Sequence, residues 1–175
     1  VHDDTTLGQD SWEKAESRLQ QEAAEEAIKK AGVTEQDIQY ILAGDLLNQC
    51  ISSTFGLQSL NIPFLGQYGA CSTMAQTLSL ASVLVDAGAA ERCLAVTSSH
   101  FCSAERQFRF PLEYGGQRTP TAQWTATASG AVVVGQSGDG PWVSAVTAGR
   151  IRDLGIKDAA NMGAAMAPVI VNIGQ

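Results

Sequence analysis

Several widespread signatures of function are absent from this sequence of 175 residues. It has no GxGxxG motif after a predicted strand and no phosphate-binding P-loop, which argues against dinucleotide redox chemistry and nucleotide hydrolysis. Charged residues are also few, at 17%, and they sum to a formal net charge of −7. Because nucleic-acid binding depends on a net basic surface, this charge argues against nucleic acid as a partner.

Cysteine pairs with the spacing of metal or redox motifs are absent as well. The four cysteines, Cys50, Cys71, Cys93 and Cys102, form no CxxC motif and have no regular spacing. They predict reduced thiols in a cytosol-like compartment, and neither a disulfide framework nor a zinc site. No apolar run approaches the length of a membrane span. The sequence indicates no cofactor and no metal site.

The composition nevertheless supports a globular fold, because 45% of the residues are hydrophobic and the length fits one domain. Ten of the 18 acidic residues lie in the first 37 positions, so we expect the first helix to carry an acidic outer face. The chain lacks an initial Met and ends directly after an apolar run. We therefore expect it to be a fragment of a longer protein.

Hydrophobic periodicity predicts alternating helices and strands. The predicted helices cover residues 10–31, 48–60 and 72–87, and the predicted strands cover 38–43, 63–68, 92–97, 130–135 and 142–148. Asp10 is the expected N-cap of the first helix, and Gly32 the residue that ends it. The pattern predicts an α/β fold with a mostly parallel sheet, helices on both faces and a final hairpin that adds an antiparallel edge.

Cys71 is the most informative single residue. It lies in Gly69-Ala70-Cys71-Ser72-Thr73, where a predicted strand ends and a long helix begins. Unpaired N–H groups and the positive end of the helix dipole favour a thiolate there, and small residues permit a sharp turn. Two interpretations are open. Cys71 is either a nucleophile or pocket floor, or a small buried hydrophobic residue, as most free cysteines are.

Polar residues also follow the other predicted strands. Ligands in open α/β sheets collect at the C-terminal strand ends. Asp45 and Asn48 follow the first strand, and His100 follows the third. An imidazole near a thiol is the usual activating partner, so His100 is a candidate general base or ligand donor. The alternative is a histidine that is hydrogen-bonded within a loop.

Positive charge is concentrated in the long connection predicted at 98–126. Arg106, Arg109 and Arg118 lie within thirteen positions and alternate with aromatic residues. Guanidinium groups bind carboxylates through two parallel hydrogen bonds, and aromatic faces suit a flat ligand. In the alternative interpretation, these arginines pair with the two glutamates of the same connection and hold it rigid.

Seven segments together resemble the stage V sporulation protein AD family. They are AGDLLNQ (43–49), GACST (69–73), TSSH (97–100), AERQFRFP (104–111), EYGGQ (113–117), DLGI (153–156) and MGAAMAP (162–168). The resemblance implies a thiolase-like fold related to the β-ketoacyl synthases. It also implies that residues 1–175 form a single N-terminal half-domain of a two-half chain. Cys71 matches the position of the acyl-accepting cysteine of thiolases.

The same resemblance implies a function in sporulation and spore germination. Family members are expected to bind pyridine-2,6-dicarboxylic acid (dipicolinic acid) without catalysis and to help move it, with calcium, into the developing spore. The implied location is that of a soluble protein peripheral to the forespore inner membrane, in contact with membrane proteins of the spore dipicolinate channel complex. A homodimer is expected, because thiolase-like proteins bury the helix after the cysteine at a subunit interface.

Three hypotheses about function remain open at this point. The first is a non-catalytic dicarboxylate-binding protein. The second is acyl transfer of the thiolase or ketoacyl-synthase type, with Cys71 as the catalytic residue. The third is a scaffold half that binds nothing alone. Under the first hypothesis the candidate ligand-binding residues are Cys71, His100, Arg106, Arg109, Asn48 and Arg118.

Overall fold

The computed structural model describes most of the chain. The described residues are 2–47, 49–108, 125–150, 153–157 and 163–164, without the side chains of 105–108. They belong to two units, Val1–Gly140 and Pro141–Gln175. The elements below lie in the first unit, and the prediction of a single half-domain stays a prediction.

A four-stranded mixed sheet organises the first unit. Its strands are β1 (Tyr40–Asp45), β2 (Phe64–Gly66), β3 (Arg92–Ser99) and β4 (Ala128–Gly135), in the order β2-β1-β3-β4. β1 pairs in parallel with both β2 and β3, whereas β4 pairs antiparallel with β3. The predicted fold class, a mostly parallel sheet with an antiparallel edge, is confirmed.

The prediction that residues 142–148 form the second strand of a hairpin is wrong. Residues 142–148 belong to the second unit and form no strand, and the side chain of Trp142 is exposed. The antiparallel edge comes from β4 alone, which pairs with β3 from Ser99↔Ala128 to Arg92↔Gly135. β-propensity reflects packing and pairing with neighbouring strands, so a suitable run of residues forms no strand without a partner.

Four α-helices occur among the described residues. They are α1 (Trp12–Ala31), α2 (Ile51–Leu57), α3 (Thr73–Asp86) and α4 (Phe101–Phe108). Ser11, and not the predicted Asp10, is the N-cap of α1, since its side chain accepts a hydrogen bond from the Lys14 backbone N at 3.2 Å. The Asp10 carboxylate instead forms an ion pair with Lys14 Nζ at 2.7 Å. Gly32 ends α1 in the left-handed conformation, with φ 66°, as predicted.

The core is divided between the two faces of the sheet. On one face, Ile41 of β1 and Leu94 of β3 pack with residues of α1 and α2. On the other face, Leu42 and Cys93 pack against Val85 of α3. Neighbouring residues of one strand point to opposite faces, so this alternation places helices on both sides of the sheet. The predicted arrangement of helices is therefore confirmed.

Candidate functional site

The carboxyl ends of three parallel strands form the edge of the sheet that carries the predicted site residues. Asp45 and Ser98 are register partners near the ends of β1 and β3. Cys71 follows β2 after a short connection, and His100 follows β3 directly. The topology therefore brings the backbones of Asp45, Cys71 and His100 to one edge, as the sequence pattern predicts.

Cys71 lies on a sharp turn at this edge and is exposed. The turn is a 3₁₀ segment, Ala70–Ser72, directly before α3, so the cysteine precedes the helix and does not lie in its first turn. Ala70 has φ 46°, in the left-handed region that residues with a side chain rarely adopt. The exposure of Cys71 contradicts the interpretation as a small buried hydrophobic residue and agrees with an accessible thiol.

Cys71 should be the thiol that reacts first with iodoacetamide in the folded protein. Cys71 is exposed, whereas Cys50 and Cys93 are buried. Burial raises the pKa of both buried thiols, and the negative charge of Asp45 adds to the effect on the pKa of Cys50. The thiolate is the reactive form, so we expect Cys71 to react about tenfold faster or more. Peptide mapping after short labelling measures this. Earlier modification of Cys50 or Cys93 would contradict it, and the difference should vanish in urea.

His100 is fully buried, and both of its ring nitrogens have partners. Nε2 lies 2.8 Å from the carbonyl oxygen of Thr5, and Nδ1 lies 3.1 Å from the backbone N of Cys102. A carbonyl only accepts and a backbone N–H only donates, so Nε2 carries the hydrogen and Nδ1 accepts. The ring also packs against Trp12, with centroids 5.3 Å apart. In this structure neither nitrogen is free to activate a thiol or bind a ligand, which matches the alternative of a hydrogen-bonded loop histidine.

A buried polar cluster that the sequence analysis missed lies between α1 and this edge. Its members are each 4% exposed or less: Glu16, Gln20, Asp45, Ser53 and Ser98. Gln20 Nε2 donates to Ser53 Oγ at 3.1 Å and to Ser98 Oγ at 3.0 Å. Each serine hydroxyl then donates to a carboxyl group, Ser53 to Asp45 at 3.3 Å and Ser98 to Glu16 at 2.8 Å. The buried polar cluster therefore ties α1 to the ends of β1 and β3.

The two carboxyl groups of the cluster share a low-dielectric environment. Burial raises the pKa of Glu16, and the nearby charge of Asp45 raises it further, whereas hydrogen bonds from neighbouring serines act in the opposite direction. The ion pairs among the described residues involve neither carboxyl group. Asp45, a predicted feature of the strand end, is thus directed into the protein by its bonds to Ser53.

The remaining predicted site residues fall partly outside the described residues. Asn48, Arg109 and Arg118 lie outside them. The backbone of Arg106 lies in α4, which begins two residues after β3 ends. An α-helix rises about 1.5 Å per residue, so the Arg106 backbone is about 9 Å along α4 from His100.

Two further structural findings concern metals and membranes. Within the described part of the chain, no group of three or more His, Cys, Asp or Glu side chains is arranged to hold a metal ion. Among the same residues, no helix combines the length and the apolar character needed to span a bilayer.

Comparison with known proteins identifies one family and one curated relative. The family model described as Stage V sporulation protein AD (SpoVAD) matches residues 1–174. Stage V sporulation protein AD of Bacillus subtilis (strain 168) is 49% identical over 168 residues, which cover 96% of this chain and 50% of that protein. The chain thus spans about half the length of this relative.

Solved structures with a similar fold include β-ketoacyl synthases. The 3-oxoacyl-[acyl-carrier-protein] synthase III of Aquifex aeolicus matches with a TM-score of 0.53 and 21% identity over 70% of this chain and 39% of that chain. The synthase III of Thermus thermophilus matches with a TM-score of 0.52 and 18% identity over 71% and 38%. At these identities the likeness establishes the thiolase-like fold and not the activity.

Proposed function

The chain belongs to the stage V sporulation protein AD family, and from this premise we propose that it binds dipicolinic acid without catalysis and supports its uptake into the developing spore. Dipicolinate carries two carboxylates on a flat ring. Its recognition therefore requires two or more fixed cations and a flat apolar contact. Arg106, Arg109 and Arg118, with the aromatic residues between them, have the chemistry to provide both.

The observation that carries this proposal is the position of α4. This helix starts directly after β3 at the edge where Cys71 is exposed, and Arg106, the first arginine of the cluster, belongs to it. Asp45 is turned inward and buried, so its charge is held away from an anion that approaches from solvent. This edge therefore presents the exposed Cys71 thiol and keeps the Asp45 carboxyl group buried, which suits the approach of a dicarboxylate.

The proposed partners extend beyond the ligand. We propose that calcium accompanies dipicolinate, and that the protein acts at the periphery of the forespore membrane with membrane proteins of the dipicolinate channel complex. A second copy of the chain is also proposed. Leu80 and Val83 of α3 are 40% and 50% exposed, which is consistent with an apolar helix face that a second subunit covers.

Acyl transfer through Cys71 is the alternative function, and one specific observation favours it. The thiol is exposed on a strained turn before a helix, as a nucleophile requires. Incubation of the complete protein with an acyl-coenzyme A, followed by mass spectrometry of the Cys71 peptide, distinguishes the two functions. A stable acyl group on Cys71 would favour acyl transfer.

Calorimetry of the complete protein with dipicolinate tests the proposed function directly. Pyridine-2-carboxylate is the matched control ligand, because it keeps the ring and one carboxylate. Hydrogen bonds to charged groups contribute about 1.5–3 kcal/mol, so we expect dipicolinate to bind about tenfold more tightly or better. Equal affinities, or no heat of binding with dipicolinate, would contradict a site built for a dicarboxylate.

A further inference from the structure

The Ser103 hydroxyl lies within hydrogen-bond distance of two acceptor oxygens but has only one hydrogen to donate. Ser103 lies in the first turn of α4, and its Oγ is 2.7 Å from Glu16 Oε2 and 3.0 Å from the carbonyl oxygen of His100. A serine hydroxyl has one hydrogen and two lone pairs. If the hydrogen is directed to the carbonyl of His100, the short contact with Glu16 requires a hydrogen from the glutamate.

The other oxygen of Glu16 fits the same assignment. Ser98 Oγ receives a hydrogen from Gln20 Nε2 at 3.0 Å and lies 2.8 Å from Glu16 Oε1. Ser98 therefore donates its own hydrogen to Oε1, which acts as a carbonyl-type acceptor. Oε2 remains as the hydroxyl oxygen of a neutral carboxylic acid. The donors and acceptors then match from Ser98 through Glu16 and Ser103 to the backbone of His100.

We propose that Glu16 carries a proton in the folded protein and acts as a proton-dependent latch, in which its carboxyl group donates to Ser103 and holds the start of α4 against α1. Glu16 is 1% exposed, so an ionised carboxylate there would be buried without a cation among the described side chains. This inference goes beyond the proposed function and holds whether or not dipicolinate binds.

The charged and titratable groups on the neighbouring elements support a neutral Glu16. β1 contributes Asp45, whose negative charge opposes ionisation of Glu16. α2 and β4 contain no Asp, Glu, His, Lys, Arg, Cys or Tyr. On β3, Arg92 lies at the opposite end of the strand and is near Glu91, and Cys93 faces α3. The junction before α4 contributes His100, whose ring bonds to Thr5 and Cys102, and α4 itself contributes Cys102, Glu105 and Arg106.

The latch should weaken as the pH rises. The pKa of Glu16 is raised in the folded chain, chiefly by burial. The latch therefore contributes in full below the usual glutamate range and is lost as the pH rises through the folded value. Amide exchange of residues 101–104 measures it. We expect their protection factors to fall about tenfold for each pH unit between the usual glutamate range and the raised folded pKa, and to level off above it.

Glu16→Gln is the decisive variant, because an amide reproduces the neutral acid by accepting from Ser98 and donating to Ser103 at every pH. We expect its α4 protection factors to be independent of pH, whereas Glu25→Gln, an exposed position on the same helix, should follow the wild type. Identical pH profiles for the wild type and Glu16→Gln in the complete protein would overturn the proposal.

Infrared spectroscopy reports the proton itself and does not depend on the variant's stability. We expect a protonated carboxyl band at pH 6 that is missing in Glu16→Gln, retained in Glu25→Gln and shifted in Ser103→Ala, which removes the acceptor. If no such band is present at pH 6 in the wild type, the latch is wrong. A band that persists in Glu16→Gln and disappears in Asp45→Asn would place the proton on Asp45 and also overturn the assignment.

Discussion

Replacement of Gly44 with alanine is expected to destabilise the fold by about 3 kcal/mol or more, the upper end of the range for overpacking. A Cβ at this position of β1 would lie 2.2 Å from the backbone oxygen of Gln67 and 2.9 Å from Thr73 Cγ2. The first contact is with backbone and cannot be relieved by a change of rotamer. The segment directly after β2 and the start of α3 would have to move, and Cys71 lies between them.

Gly130→Ala is the matched control for this change. Thr97 of β3 pairs with Gly44 of β1 on one side and with Gly130 of β4 on the other, so the two glycines occupy equivalent positions in the sheet. A Cβ on Gly130 meets nothing within 4 Å, so alanine there should leave the free energy of unfolding nearly unchanged. Urea denaturation of both variants gives the comparison. Similar losses of stability in both variants would show that the close contact at Gly44 does not explain why this position requires glycine.

The sheet was predictable from the sequence because its determinants are local. Alternating apolar residues such as Ile41 and Leu42 fill opposite faces of β1, and helices between the strands require parallel connections. The predictions that were wrong concern residues for which the local sequence allows more than one structure. Ser11 and Asp10 are both good N-cap residues, and only the structure shows that Asp10 pairs with Lys14 instead. Residues 142–148 have strand-like composition but pair with no strand in the described part of the chain.

The candidate site was predictable only in part. Cys71 could be placed because small residues at a strand-to-helix junction specify a sharp turn, and that signal is contained in five consecutive residues. Glu16 and Gln20 were missed, since an acidic helix predicts solvated side chains. Their positions, four residues apart and in line with buried Ala24 and Ile28, are the signal that was available. Their partners are 24 or more residues away in the sequence, so no local pattern specifies them.

Under the proposed function, Arg106→Ala is expected to weaken dipicolinate binding by about tenfold or more in the complete protein. A charge-assisted bond between a guanidinium and a carboxylate contributes about 1.5–3 kcal/mol, and tenfold in affinity corresponds to about 1.4 kcal/mol. Arg106→Lys should also lose affinity, because lysine keeps the charge and loses the planar pair of donors. Calorimetry of each variant with dipicolinate measures these changes.

Two further variants make the result specific to the proposed site. Arg92→Ala removes a cation at the opposite end of β3, near Glu91, and should leave the affinity unchanged, which controls for the loss of net charge. Cys71→Ala should cost less affinity than Arg106→Ala, since binding forms no covalent bond. Suppose instead that Cys71→Ala abolishes function while Arg106→Ala binds dipicolinate normally. The exposed Cys71 thiol would then be the functional group, and acyl transfer would be better supported than dicarboxylate binding.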